Sequence, residues 1–159
     1  TKINKSLKGT FSYYNFIYNR SALLDGVIDD RIGPDTHLKY VYVNAAVAEL
    51  LWKIKPRHSL RTEAQFMHTE QDRGSWALLL LEYSIAPQWF VAVQDAYNYG
   101  NPDPDLQIHY PLVSFGYTRG TTKVQVNYGR QQQGVFCVGG ICRVVPASNG
   151  FSLLLTSNF

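Results

Sequence analysis

Apolar and polar residues alternate along most of this chain with a period of two. Leu60, Thr62, Ala64 and Phe66 interleave with Arg61, Glu63, Gln65 and Met67, and Val124, Val126 and Tyr128 interleave with Lys123, Gln125 and Asn127. Successive strand side chains point to opposite faces, so each segment predicts a strand with one apolar and one wet face. A longer segment keeps its apolar residues at even positions, from Leu38, Tyr40 and Tyr42 to Leu50, Trp52 and Ile54, against Lys39, Glu49 and Lys53. The pattern predicts eight strands, at about Ser6 to Asn19, His37 to Ile54, Ser59 to Glu70, Ser75 to Ile85, Trp89 to Tyr99, Leu106 to Tyr117, Thr122 to Arg130 and Phe151 to Phe159. In the sixth, parity switches between Tyr110 and Val113, which predicts a β-bulge at Pro111. No long segment has helical periodicity.

The final segment puts Phe151, Leu153, Leu155 and Phe159 on one face. It looks like the closing strand of an outer-membrane β-barrel, whose terminal aromatic is part of the signal read by the barrel-assembly machinery. Counting connections backwards from Phe159 makes the links about 20–36, 100–105 and 131–150 extracellular, and the links at 55–58, 86–88 and 118–121 periplasmic and short. Aromatic residues gather at both ends of the strands: Trp52, Tyr83, Trp89, Tyr117 and Phe159 at one, Tyr97, Tyr99, Tyr128 and Phe151 at the other. A soluble antiparallel barrel or sandwich also alternates, and alternation alone does not say which face meets solvent.

Composition narrows the choice. The 159 residues suit a single region and are 45% hydrophobic and only 17% charged, few charges for a soluble surface. The longest apolar run, Trp76 to Leu81, is six residues, whereas a membrane helix needs about 20. Any crossing of a bilayer is therefore by strands. A net charge of +3 with scattered Lys and Arg gives no nucleic-acid footprint. The opening at Thr1 is polar and not a signal peptide, which leads us to expect a mature chain or a fragment.

Candidate chemistry is sparse. His37, His58, His68 and His109 fall on different strands or turns, with no HExxH, GxSxG or glycine-rich phosphate loop, so no catalytic, cofactor or metal residue is assigned. A lumen position beside Gln107 is expected for His109. Asp25, Asp29, Asp30 and Asp35 are expected to be solvated loop charges. Asp95 shares the apolar parity of Val91, Val93 and Tyr97, so either a bulge turns it inward or it packs against something other than lipid. Cys137 and Cys142 bracket Val138-Gly139-Gly140-Ile141, a spacing that suits a two-residue hairpin turn and a disulfide; two free thiols are the alternative.

The segment RQQQGVFCVGGICRVVPASNGF, with Tyr128-Gly129-Arg130 before it and the terminal Phe, resembles the C-terminal end of a Bacteroidota-type outer-membrane β-barrel family of unknown function. The specific similarity runs from about Ile108 to Phe159. It implies an all-β fold of antiparallel transmembrane strands, the C-terminal part of a larger barrel in the bacterial outer membrane, and no catalytic residue.

Three functions fit. The first is a passive solute channel with Lys39, Glu49, Lys53, Arg61, Glu63, Lys123 and Gln125 lining the lumen. The second is a structural or interaction barrel with a lipid-bilayer environment and an outer-membrane protein partner, or a client of the assembly machinery, with Phe151, Leu153, Leu155 and Phe159 as the assembly signal. The third is an outer-membrane hydrolase built at a barrel wall.

Overall fold

The computed structural model describes residues 5–19, 40–71, 73–132, 134–138 and 141–157, of which 19, 134–138 and 141–143 are described by backbone alone. The chain is all-β. Eight strands form one antiparallel sheet: β1 (Leu7–Asn19), β2 (Tyr40–Lys55), β3 (His58–His68), β4 (Trp76–Ile85), β5 (Trp89–Tyr97), β6 (His109–Arg119), β7 (Thr122–Gln131) and β10 (Ser148–Ser157). Between β7 and β10, β8 (Gly134–Val138) and β9 (Ile141–Val145) form a separate hairpin. The sheet is open: β1 and β10 are its edges, each with one hydrogen-bonded neighbour among the described residues.

Register is continuous across the sheet. One row runs Leu7, Trp52, Leu60, Tyr83, Val91, Phe115, Val126, Leu153, and the adjacent row of opposite parity runs Lys8, Leu51, Arg61, Glu82, Ala92, Ser114, Asn127, Ser152. The first row belongs to the apolar face and the second to the polar face. Among the described residues, 21 of the 26 exposed large hydrophobic side chains lie on the apolar face, so this sheet turns its grease outwards. The buried residues of the strands, including Val41, Val43, Leu80, Phe90, Ala92, Leu112, Ser114, Gln125 and Asn127, are on the other face. A single-layer sheet covers one face only by curling towards it or by being overlain. Because the polar face is the covered one, we take it as the concave face and the apolar face as the convex one; Val145 at the base of the β8–β9 hairpin packs into the polar face's cluster of Leu80, Phe90, Ala92 and Leu112.

Connections at the two ends differ in length. At one end the links are residues 56–57, 86–88 and 120–121, turned by Arg57 (φ 68°) and Gly120 (φ 60°). At the other they are 69–75 and 98–108, whose loops touch: the Gly100 N–H donates to the Ser75 carbonyl at 3.1 Å. A Cβ on Gly74 would lie 1.7 Å from the Gly100 carbonyl oxygen, so this loop contact needs glycine.

Two expectations about β6 are corrected. No bulge occurs at Pro111, because β5 and β6 pair without interruption from Trp89↔Tyr117 to Tyr97↔His109. The residues read as the start of this strand are instead a 3₁₀ turn over Pro104–Leu106, with the Asp103 carboxylate accepting from the Asp105 N–H and Pro at the start. The apparent parity switch was loop residues read as strand, and His109 consequently lies on the convex face.

Candidate functional site

The concave face carries the chain's concentrated polar chemistry, in two separate networks. The first is centred on Arg61 in β3. Its Nε donates to Glu49 Oε2 on β2 at 3.1 Å, one terminal nitrogen meets Glu63 Oε2 at 2.5 Å, and the other lies 3.5 Å from Glu82 Oε2 on β4. Register explains the meeting: Arg61 is directly opposite Glu82, and Glu49 opposite Glu63 one row away. Gln65 donates to Glu63 and Ser84 to Glu82. One guanidinium thus holds three carboxylates from three adjacent strands. Arg suits this place because its planar, multi-donor head serves several acceptors at once.

The second network is uncharged. Gln125 and Asn127 on β7 are 2% and 1% exposed; Gln125 donates to Asn127 Oδ1 at 2.9 Å, and Asn127 donates to Ser152 Oγ on β10 at 3.0 Å. Their burial is tolerable because the amides satisfy one another. Below them Phe90 lies against Gly116, where a Cβ would fall 1.9 Å from the ring, and Lys123 Nζ sits 4.9 Å from the same ring centroid.

The convex face carries one ionisable pair, near the ends of β5 and β6 that the 98–108 link joins. Asp95 Oδ2 is 2.6 Å from His109 Nδ1, and the His109 ring stacks on Tyr97 with centroids 4.1 Å apart and planes 3° from parallel. No bulge turns Asp95 inward; it faces out between Leu79 and Pro111, with its other carboxylate oxygen buried and unpartnered. This corrects the lumen expectation for His109 and supplies Asp95's partner. His68 meets Ser75 Oγ at 3.1 Å, but that hydroxyl donates to the Thr69 carbonyl and accepts from the Thr69 N–H, as a loop brace. His58 is bound to the Tyr83 hydroxyl at 2.7 Å.

Of the residues expected on the polar face, Glu49, Arg61 and Glu63 are brought together, Lys53 lies at its rim, and Lys123 and Gln125 lie across the sheet on β7. Lys39 and Phe159 lie outside the described residues, as does the 20–36 loop. Phe151, Leu153 and Leu155 stand on the convex face, each about two-thirds exposed. Cys137 and Cys142 are cross-strand partners in the β8–β9 register; their side chains are outside the described residues. Glu82, Asn127 and Ser152 were not singled out from sequence. Glu82 follows an apolar run that hides it, although its parity with Leu80 and Ser84 places it on the polar face.

Within the described residues, no group of three or more His, Cys, Asp or Glu side chains is arranged to hold a metal ion. No helix among the described residues is long and apolar enough to cross a membrane, a test that does not address strands. Comparison with known proteins finds no match among curated proteins or solved structures. A family model described as a family of unknown function, DUF6029, matches residues 1–159. Covered from end to end by that model, the chain belongs to the DUF6029 family.

Proposed function

We propose that this chain forms part of the wall of an outer-membrane β-barrel, with its convex face against lipid and its concave face lining a polar lumen that passes small solutes. One observation carries the reading: the face that bears Trp52, Leu81, Val93, Phe115 and Leu153 is exposed, while the face that bears Val43, Glu82, Gln125 and Asn127 is covered over most of the sheet away from β1. Water would favour the reverse arrangement, and lipid favours this one. The aromatic rows add support. Trp89 packs on Tyr117 at 4.2 Å and on Phe115 at 5.3 Å at one end of β5, and Tyr97 stacks on His109 at the other. Eight residues separate Trp89 from Tyr97, about 26 Å along a strand, which matches an apolar band of ~25 Å before tilt is allowed for.

A docking barrel is the second reading, favoured by the filling of the concave face where Phe90, Gln125 and Val145 are buried. On either reading the bilayer is the immediate partner and the barrel-assembly machinery a transient one. Fractionation and vesicle permeation test the proposal together. The expected results are recovery in the outer membrane, a requirement for detergent, altered gel migration on boiling, and solute-permeable vesicles. A monodisperse, detergent-free monomer would sink the membrane reading, and folded but impermeable vesicles would leave the docking barrel.

A further inference from the structure

We propose that Arg61 sets the charge preference of the lumen, an inference that rests on the channel reading above. The quartet of Arg61 with Glu49, Glu63 and Glu82 sums to 1 − 3 = −2, and Lys53 on the same face of β2 brings the sum to −2 + 1 = −1, so this face of β2, β3 and β4 is acidic around Arg61 although the chain as a whole is +3. Its members differ in access. Glu63 and Glu82 are largely covered, with side chains 13% and 9% exposed, whereas Glu49 is 33% exposed and meets Arg61 through Oε2. Glu49 is therefore the carboxylate a passing solute meets first, and Arg61 is the positioning residue that holds it and screens it.

Other charges on this face lie apart from the quartet. Lys8 shares the Arg61 row on the edge strand β1, beyond Leu51; Lys53 is exposed two residues further along β2; Lys123 is on β7 over the Phe90 ring. A solute crossing at this level thus has the acidic strip on one side and the neutral amide network of Gln125, Asn127 and Ser152 on another. This arrangement favours small solutes bearing an ammonium or guanidinium group over anions of equal size.

The full-length protein in planar bilayers tests this through its reversal potential in a potassium chloride gradient. At about 0.1 M salt, where charges act over ~10 Å, Arg61→Gln should raise the potassium-to-chloride permeability ratio about five-fold, and Arg61→Lys should restore most of the original value. Because Arg61→Gln leaves three carboxylates close together and so puts folding at risk, Glu49→Gln provides an independent arm: it should lower the ratio. Both shifts should shrink near 1 M salt. Conducting channels whose reversal potential is unmoved by Arg61→Gln, or by Glu49→Gln where only that variant folds, overturn the role of Arg61 and leave the channel reading standing. A folded wild type that conducts nothing overturns both.

Discussion

Placing a charge at Val93 tests the orientation of the sheet most directly. Val93 is on the convex face, 51% exposed, midway along β5 between Trp89 and Tyr97, with Leu81 and Val113 as its cross-strand neighbours. If that face meets water, Val93→Arg changes a surface residue and costs within about 0.5 kcal/mol. Lipid makes a different demand, because an arginine near the bilayer midplane of a barrel costs about 2–4 kcal/mol. That range corresponds to a roughly 30- to 1,000-fold shift in the folding equilibrium. Gln94→Lys is the matched control: it lies at the same height on the concave face, in the row of Glu63 and Glu49, and should stay within about 1 kcal/mol. Reversible guanidine unfolding in lipid vesicles, followed by tryptophan fluorescence, measures both variants. A Val93→Arg cost no larger than that of Gln94→Lys would refute the assignment of the convex face to lipid.

Three further outcomes follow from particular contacts. His109→Ala should destabilise by about 1–3 kcal/mol because it strips Asp95 Oδ2 of its imidazole partner, while the His109→Ala, Asp95→Ala double variant should recover much of that loss; additive costs in a double-mutant cycle would show the pair to be uncoupled. Gly116→Ala should cost about 1–3 kcal/mol through the clash with the buried Phe90 ring, and Phe90→Leu in the same chain should relieve part of it; an unchanged melting temperature for Gly116→Ala would count against this packing. Cys137 and Cys142 should be joined in the mature protein, with reduction loosening the hairpin and leaving the eight-strand sheet folded, since so short a loop constrains the unfolded chain little; non-reduced peptide mass spectra containing two free thiols would refute the pairing.

Period-two alternation made the strands legible because the sheet is one layer with two unlike environments. β3, β4 and β7 fall within a residue or two of the boundaries read from sequence, and the polar parity in β3 is the parity that forms the Arg61 quartet. The errors have local causes. Leu106 and Ile108 continued an apolar alternation, but Pro102-Asp103-Pro104-Asp105 supplies a capped turn, and Pro104 begins a 3₁₀ segment rather than a strand. With the strand beginning at His109, parity is regular and Pro111 needs no bulge. The pairing of Asp95 with His109 lay beyond one-dimensional reading, since it depends on the β5–β6 register. So did the participation of Glu82, which enters the network only because β4 sets it opposite Arg61.

The two ends of the strand order make unequal contributions to the proposed conduit. On β5, β6, β7 and β10 the concave positions are occupied by Phe90 on Gly116, by Gln125 and Asn127 bonded to one another, and by Val145 over Leu80 and Leu112. Little free width remains along that stretch, because its polar groups are already satisfied and covered. On β1, by contrast, the concave-face residues Tyr14 and Phe16 are 53% and 44% exposed, and Lys53 on β2 is also exposed. Water therefore reaches the concave face on β1 and at the Lys53 end of β2, next to the Arg61 quartet on β2 to β4, whereas Val41 and Val43 at the other end of β2 are buried. A solute path, if it follows the open space, runs past the charged strip rather than the amide network. Charge substitutions at Glu49 should then alter permeation more strongly than the isosteric change Gln125→Glu, whose site is sealed under its neighbours.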